Sequence, residues 1–237
     1  MEAELLAWFE GNRRDLPWRR RRRDPYAVLL SEVMLQQTQV ARVVPRFEAW
    51  MERWPTVESL AGAGLDDVIR AWQGLGYNRR AVSLYRAARI VAENGWPDDL
   101  TELPGVGAYT AAAVRRFAWD EPVLPMDTNV LRVIERSGAE FGPEAAEALM
   151  DLGREVCLAR VPRCGACPLA AGCPSRGRSY EPLRKQSRFE GSFRQRRSET
   201  LRLVAGGRSR GLDREAVDSL IRDGLVVDDG GSVALPQ

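Results

Sequence analysis

Four cysteines within seventeen residues are the feature that most constrains this chain. The spacing C-x6-C-x2-C-x5-C is formed by Cys157, Cys164, Cys167 and Cys173, and the 237 residues contain no histidine. Thiols so close together either bind a metal or pair as disulfides. The N-terminal segment MEAELLAWFE is acidic where a secretory signal would be basic, and cytosolic thiols stay reduced. The sequence therefore predicts a metal site in a cytoplasmic protein.

The cysteine spacing favours an iron–sulfur cluster over zinc. Structural zinc sites usually combine two C-x2-C pairs or use histidine, whereas here one pair is flanked by two single thiols. Four thiolates arranged around a group larger than a single ion fit a [4Fe–4S] cluster better. Zinc and four unligated buried cysteines are the alternatives. The surrounding arginines, Arg160 and Arg163 among them, would be presented to phosphate groups by a cluster that rigidifies the loop.

Helical spacing of apolar residues dominates the chain and predicts a mostly α fold. Asp24-Pro25 is a good helix start, with further helices at 40–54, 56–61, 65–73, 78–94, 108–118, 129–137 and 143–157. After a basic linker at 176–197, residues 198–237 predict two short helices and a hairpin. We expect this short C-terminal module to dock on the rest of the chain, and a truncated winged-helix-like module is the alternative. No apolar run approaches the roughly 20 residues of a membrane span.

Two carboxylates occupy settings that would give them different protonation states. Glu32 lies in the apolar helix after Asp24-Pro25, where burial would raise its pKa; a solvent-facing glutamate is the alternative. Asp127 precedes a helical run as an N-cap, and a helix N-terminus keeps a carboxylate ionised. Simple capping would explain Asp127 equally well and is compatible with catalysis. One protonated and one ionised carboxylate form the pair that cleaves glycosidic bonds.

Two glycines mark a candidate phosphate-binding turn. Gly105 and Gly107 in LPGVGAYTAAAV stand just before an Ala-rich helical run. Glycine permits a tight turn, and the N–H groups at the following helix start can hold a phosphate. The pattern is that of a helix-hairpin-helix, and an ordinary helix–helix turn is the alternative.

The motifs taken together resemble one family. LPWR, DPYAVLLSEVMLQQTQV, GLGY, LPGVGAYTAAAV, PMDTNVLRVI, LMDLG and the cysteine array occur in that order. The combination resembles the adenine DNA glycosylase (MutY) family of helix-hairpin-helix glycosylases, relatives of endonuclease III. The resemblance implies a six-helix barrel domain at 21–126 and an iron–sulfur cluster domain made of 1–20 and 127–175. It also implies a monomer that binds double-stranded DNA carrying a mismatch or a damaged base, in the cytoplasm and associated with the nucleoid.

The resemblance also assigns roles to individual residues. Glu32 would protonate a ring nitrogen of a flipped purine, Asp127 would stabilise the positively charged sugar, Tyr109 would orient groups around it and Asn129 would support Asp127. The DNA-contacting residues would be Gln37, which wedges into the duplex, with Tyr77, Asn78, Gly105, Gly107, Arg160 and Arg163. Position 78, where the family often carries a second aromatic, is a departure that weakens the case for recognition of 8-oxoguanine.

The expected activity is hydrolysis of the N-glycosidic bond of adenine mispaired with guanine or 8-oxoguanine. Related lyases carry a Schiff-base lysine where this chain has Tyr109, and Lys185 is its only lysine, so we expect a monofunctional enzyme. A thymine or uracil mismatch glycosylase and a catalytically silent DNA-binding protein are the alternatives. The family's C-terminal Nudix-like domain needs about 100 residues. Only residues 174–237 follow Cys173, so we expect that domain not to be present in full.

Overall fold

The computed structural model describes residues 1–181 and 188–237, and it is mostly helical, as predicted. The helices are α1 (Glu2–Asn12), α2 (Pro25–Leu35), α3 (Val40–Arg53), α4 (Val57–Ala61), α5 (Leu65–Trp72), α6 (Arg79–Asn94), α7 (Ala108–Trp119), α8 (Thr128–Ser137), α9 (Ala146–Glu155), α10 (Phe193–Ala205) and α11 (Arg214–Arg222). Short 3₁₀ turns occupy Pro17–Arg21, Leu100–Glu102, Pro143–Ala145 and Cys164–Ala166. Strands β1 (Val227–Asp229) and β2 (Ser232–Ala234) pair antiparallel, with Asp228 opposite Val233.

Side-chain caps explain where several helices begin. The Oδ1 of Asp24 accepts a hydrogen bond from the N–H of Ala27 at 3.1 Å, which confirms the predicted start of α2. Asp213 caps α11 in the same way through the N–H of Ala216. Such caps satisfy N–H groups that have no partner inside the helix. The helix predicted at 143–157 is a 3₁₀ turn followed by α9.

One compact unit comprises residues 1–28 and 108–185. Its core joins α1, α8 and α9 through buried side chains that include Leu5, Val130 and Leu149. Asp151 of α9 is fully buried and accepts hydrogen bonds from Arg14 and from Arg19, the latter at 2.8 Å. A buried charge needs such partners, so these contacts join the N-terminal segment to α9.

The second compact unit comprises residues 29–107 and 186–237. Helices α4 and α5 pack on α6, and Trp50 packs edge-on against Trp54 and Trp72, with ring centroids 4.8 and 5.6 Å away. The C-terminal helices and hairpin dock on α5 and α6 through one shared apolar core. Its buried members are Ile69, Val82, Leu201, Val204, Val217, Leu220, Leu225, Val226, Val233 and Leu235. The docking predicted for this module is therefore confirmed.

The boundaries of the two compact units differ from the boundaries of the predicted domains. Residues 21–28 and 108–126 group with the cysteine-bearing segment, and the Arg23 N–H donates to the Phe117 carbonyl at 3.2 Å within that unit. The domain boundaries at 126 and 175 stay a prediction. Of the predicted basic linker, residues 182–187 with Lys185 lie outside the described residues.

The sequence did not predict membrane-spanning helices. In residues 1–181 and 188–237, no helix combines the length and the apolar character that crossing a membrane requires.

Candidate functional site

The four cysteines surround one small cavity in the first unit. Cys157, Cys164, Cys167 and Cys173 all line it, and the cavity holds about 30 Å³ between largely apolar walls. None of the four forms a disulfide in the described structure. The Cys164 sulfur accepts a hydrogen bond from the N–H of Gly177 at 3.3 Å. The folding of this loop therefore brings together the thiols that the sequence spacing predicted.

Cys167 stands in an environment that disfavours its free thiolate. Burial raises the pKa of the Cys167 thiol, and the charges of the other three cysteines raise it further. A bound metal would replace the thiol protons and remove this mutual repulsion. Within the described residues, no three His, Cys, Asp or Glu side chains lie close enough together to hold a single metal ion.

The two arginines predicted to contact phosphate lie on the loop between the cysteines. Arg160 and Arg163 are both exposed. The backbone beneath them is fixed, because the Tyr180 N–H donates to the Arg160 carbonyl at 2.9 Å and the Arg163 N–H donates to the Val156 carbonyl at 2.8 Å. Exposed guanidinium groups on a fixed backbone suit contact with a phosphate chain.

Asp127 is the N-cap of α8, as predicted. Its Oδ1 accepts hydrogen bonds from the N–H groups of Asn129 at 2.8 Å and Val130 at 2.7 Å. Its Oδ2 accepts one from the Asn129 side chain at 2.7 Å. These three hydrogen bonds hold both carboxylate oxygens in fixed positions at the start of α8. The structure thus brings Asp127 and Asn129 together in the supporting arrangement that the sequence analysis expected.

Arg132 extends this network and was missed by the sequence analysis. It donates to Asn129 Oδ1 at 2.8 Å, to the Gly153 carbonyl at 2.5 Å and to the Cys157 carbonyl at 2.7 Å. Because Oδ1 accepts from arginine, the amide nitrogen of Asn129 is the atom that faces Asp127. Burial lowers the pKa of Arg132. The position of Asp127 is therefore linked by hydrogen bonds to the cysteine loop.

Arg136, one turn further along α8, was missed as well. Its guanidinium donates to the carbonyls of Leu158 at 2.8 Å and Ala159 at 2.7 Å, and it lies 3.7 Å from the Cys157 sulfur. The Tyr180 ring stacks on it, with 3.6 Å between the guanidinium carbon and the ring centroid. Arg132 and Arg136 are four residues apart on one helix, and this spacing was the available signal in the sequence. It does not identify backbone acceptors more than twenty residues away.

Close packing against Asn129 explains why position 153 is a glycine. A β-carbon at this position would lie 2.8 Å from Asn129 Cβ and 2.9 Å from the Asn129 carbonyl oxygen. Contacts that short do not occur in folded proteins without a shift of one partner. The glycine of the LMDLG segment therefore lets α9 approach the N-terminus of α8, next to Asp127.

Tyr109 and Glu32 belong to different helices and different units. Tyr109 is half-buried in the first turn of α7. Glu32 is 8% exposed near the middle of α2, between the buried Ser31 and Val33. The burial predicted for Glu32 is confirmed, and the solvent-facing alternative is wrong.

Four of the predicted DNA-contacting residues line one recess of the second unit. Gln37, Tyr77, Asn78 and Gly105 lie on its walls, and its volume is about 1080 Å³. Gly105 has φ of +81°, and a side chain there would meet Ser83 at 2.8 Å, so the tight turn requires glycine. Gly107 is exposed and is not among the described residues that line the recess.

Arg80 holds the two loops that carry Gln37 and Tyr77. Its guanidinium donates to the carbonyls of Val33 and Gln36 at 2.6 Å each and of Gly76 at 2.9 Å. Burial lowers the pKa of Arg80 to about 10, so it stays charged at neutral pH. Gln37 and Tyr77 have φ of +58° and +46°, a conformation that costs a side-chain-bearing residue about 1–3 kcal/mol. Arg80 supplies the bonds that offset this strain.

Known proteins are similar to this chain in sequence and in fold. The sequence profile described as HhH-GPD superfamily base excision DNA repair protein matches residues 30–157. The chain is 40% identical to the adenine DNA glycosylase of Mycolicibacterium smegmatis over 94% of this chain and 92% of that protein. It is 37% identical to the adenine DNA glycosylase of Homo sapiens over 80% of this chain and 42% of that protein.

Solved structures confirm the fold. A thermostable thymine-DNA glycosylase superposes with a TM-score of 0.64 at 28% identity, over 73% of this chain and 93% of that one. A non-covalent endonuclease III–DNA complex superposes with a TM-score of 0.62 at 24% identity, over 73% of this chain and 92% of that one. The helix-hairpin-helix glycosylase fold expected from the motifs is therefore confirmed.

Proposed function

The chain belongs to the HhH-GPD superfamily of base excision DNA repair proteins, and on this premise we propose that it hydrolyses the N-glycosidic bond of adenine mispaired with guanine or 8-oxoguanine. DNA glycosylase activity on adenine follows from the curated relatives of that name, which match 94% and 79% of this chain. The base opposite the adenine and the roles of single residues are proposals that go beyond the names of these relatives.

The proposed chemistry divides two tasks between two carboxyl groups. Burial makes the neutral, proton-bearing form of Glu32 the less costly one, so Glu32 donates a proton to a ring nitrogen of adenine and makes the base a better leaving group. Asp127, held in place by three donors, stabilises the positive charge that develops on the deoxyribose. Water then completes the hydrolysis and leaves an abasic site. Tyr109 orients groups around the sugar.

The observation that carries the proposal is the hydrogen bonding of Asp127. A residue that only caps a helix needs one side-chain oxygen, but here the second oxygen is held by the Asn129 amide, which Arg132 orients in turn. Such support fixes a carboxylate in one position, which is what electrostatic stabilisation of a short-lived cation requires.

DNA binding in the proposal uses separate parts of the chain. Gln37, exposed at the turn after α2, enters the space that the extruded adenine leaves, and the backbone at Gly105 and Gly107 holds a phosphate. Tyr77 and Asn78 contact the duplex beside Gln37, and Arg160 and Arg163 contact its backbone. The enzyme acts as a monomer in the cytoplasm, associated with the nucleoid through its DNA.

Base release under single-turnover conditions tests the activity. Duplexes with A opposite 8-oxoG, A opposite G, T opposite G, U opposite G and hypoxanthine are compared, and free bases are separated by chromatography. We expect adenine from the first two, with strand cleavage only after alkali because no lyase lysine stands at position 109. Release of thymine or uracil instead would establish the mismatch-glycosylase alternative, and binding without any release would establish the silent binding protein.

We also propose that the four cysteines hold a [4Fe–4S] cluster. Four thiols around one apolar cavity, with an N–H donor to sulfur, fit this group, and it would supply structural cross-linking of the loop that carries Arg160 and Arg163. Anaerobically purified protein should contain about four irons per chain and absorb near 400 nm. Stoichiometric zinc without iron would contradict the assignment.

A further inference from the structure

Arg154, the residue after Gly153 on α9, is a half-buried cation within electrostatic reach of Asp127. Gly153 lies against the backbone of Asn129, which brings this part of α9 close to the first turn of α8. The Arg154 side chain is partly removed from water there. Burial lowers the pKa of Arg154, and the negative charge of Asp127 acts in the opposite direction. The guanidinium therefore interacts with the carboxylate to which we assign stabilisation of the sugar cation.

No contact of the Arg154 guanidinium compensates for this burial. Within the part of the chain that the structure describes, it has neither a hydrogen-bond acceptor nor an ion-pair partner. Arg132, whose charge also acts on Asp127, differs in this respect, because it donates to the Asn129 side chain and to backbone carbonyls. A charge that is partly removed from water costs free energy unless an anion or an acceptor compensates it. The fold therefore leaves one cation near Asp127 without compensation.

Two other carboxylates in this neighbourhood are already engaged. The charges of Glu155 and Asp151 attract Arg154, whereas the charge of Arg14 repels it. Asp151 is fully buried and accepts a hydrogen bond from Nε of Arg14 at 3.0 Å. Glu155 lies 3.7 Å from Nη1 of the same arginine. These carboxylates neutralise Arg14, so an anion that compensates Arg154 has to come from a ligand.

The end of α9 offers one other reason for a cation at this position. Arg154 stands in the last turn of α9, where a positive charge interacts favourably with the helix dipole. That interaction is available to a fully exposed side chain and does not require burial. It predicts a contribution of Arg154 to stability, whereas a binding role predicts a contribution to DNA affinity. Measurements of stability and of affinity therefore separate the two roles.

We propose that Arg154 is a DNA-binding residue that contacts one of the two phosphates flanking the extruded deoxyadenosine. The proposal rests on the proposed function, because Asp127 then stands beside the deoxyribose to which both phosphates are attached. A phosphodiester supplies the negative charge that the protein does not supply at Arg154, and a guanidinium binds it through parallel hydrogen bonds. The bound phosphate also offsets the positive charge of Arg154, which would otherwise oppose formation of the sugar cation.

Removal of one phosphate charge at a time tests this contact without requiring activity. Full-length, anaerobically purified protein is titrated with duplexes that carry 2′-fluoro-adenosine, whose fluorine disfavours the sugar cation, opposite 8-oxoguanine. A methylphosphonate, which is uncharged, replaces the phosphate on the 5′ side or on the 3′ side of this nucleotide. We expect Arg154→Gln to bind the unmodified duplex about tenfold more weakly than wild type, which corresponds to about 1.4 kcal/mol.

The combination of variant protein and modified duplex decides the outcome. At the phosphate that Arg154 contacts, the methylphosphonate should weaken binding by wild type about tenfold but by Arg154→Gln less than about twofold, because the partner is already missing. At the other flanking phosphate the two losses should multiply. The matched control is Arg13→Gln, an exposed arginine at the end of α1, for which the losses should multiply at both positions. Losses that multiply at both phosphates for Arg154→Gln would overturn the proposal.

Thermal unfolding separates DNA binding from support of the helix end. Removal of an uncompensated, half-buried charge should leave the unfolding temperature of Arg154→Gln unchanged or raised. Arg154→Lys keeps the charge without the planar fork and should recover part of the DNA affinity. A lowered unfolding temperature that lysine restores, with no dependence on either phosphate, would assign Arg154 to the end of α9 and overturn the proposal.

A parallel assay distinguishes failure of this proposal from failure of the proposed function. Adenine release by wild type is measured on the unmodified duplex with ordinary deoxyadenosine. If no adenine is released but the losses from Arg154→Gln and one methylphosphonate do not multiply, the activity assignment fails and the phosphate contact stands. If adenine is released while the losses multiply at both phosphates, the phosphate contact fails and the activity stands.

Discussion

At the scale of single residues, three arginines organise the parts of the molecule to which we assign function. Arg80 fixes the loops with Gln37 and Tyr77, Arg132 orients the amide that supports Asp127, and Arg136 binds the cysteine loop. Each donates to backbone carbonyls of segments distant in sequence. A guanidinium has five donors in a rigid fork, which lysine cannot reproduce.

Substitution of Arg80 by lysine tests this view. The compact ammonium of lysine cannot donate to all of these carbonyls as the planar guanidinium fork does, so we expect the free energy of unfolding to fall by about 1–3 kcal/mol. Urea denaturation measures the change, and the neighbouring exposed Arg79→Lys is the control. Equal stability of the two variants would mean that Arg80 is not required for the loops.

Sequence patterns predicted the residues whose signal is local. Asp127 could be placed as an N-cap because it directly precedes a helical run, and burial of Glu32 followed from its apolar helix. The cysteines were predicted to gather because their spacing is short. Arg80 and Arg132 could not be predicted, because their acceptors lie on other segments and no spacing in the sequence relates an arginine to a backbone carbonyl. The chain contains many arginines, so residue type alone does not single these out.

At the scale of elements, the approach of α9 to the start of α8 decides where Asp127 stands. Gly153 lies against the backbone of Asn129, and Arg132 donates to the Gly153 carbonyl from the facing helix. The contact is between main chains, so no side chain can be accommodated by a change of rotamer. Either α9 or the first turn of α8 must move if Gly153 is enlarged, and both movements change the packing next to Asp127.

Gly153→Ala adds only one methyl group, but it should have a large effect on catalysis. We expect the free energy of unfolding to fall by about 1–3 kcal/mol, and the rate of adenine release to fall by about 10–100-fold, since a displacement near 1 Å at a reacting group has that effect. Gly11→Ala in α1, where a β-carbon meets nothing within 4 Å, is the matched control and should keep full activity. A fully active Gly153→Ala enzyme would contradict this role for the glycine.

Element boundaries could be read from helix caps and prolines, but the grouping of elements could not. The two helices and the hairpin of the C-terminal module were predicted from their periodicity and the Asp-Gly-Gly turn. This module shares its core with α5 and α6 because their apolar faces match, as Ile69 does with Leu201 and Leu220. Such complementarity between distant segments has no local signature.

At the scale of the whole molecule, the formal net charge of +2 hides a strongly uneven distribution. Acidic side chains are paired with many of the arginines, as in the contacts of Arg53 with Asp67 and of Arg196 with Asp213. Arg160 and Arg163 instead stand exposed on the cysteine loop. Local concentrations of exposed positive charge, rather than net charge, then provide the attraction to DNA.

Removal of both charges should change the salt dependence of DNA binding. For Arg160→Ala combined with Arg163→Ala, we expect weaker binding and a slope of log K against log salt that is smaller by about two, one for each lost phosphate contact. Fluorescence anisotropy over a range of salt concentrations gives the slope, and the exposed Arg222→Ala of α11 is the control. An unchanged slope would mean that neither arginine contacts phosphate.

The central claim is that Asp127 stabilises the sugar cation formed when adenine leaves. Its most direct test is the single-turnover rate of adenine release from a duplex with A opposite 8-oxoG, measured together with DNA affinity for wild type, Asp127→Asn and the exposed Asp229→Asn. We predict that Asp127→Asn lowers the rate by at least about 10³-fold at nearly unchanged affinity, because the amide keeps the cap but loses the charge. A variant that releases adenine at the wild-type rate, or one that loses DNA binding instead, would contradict the claim.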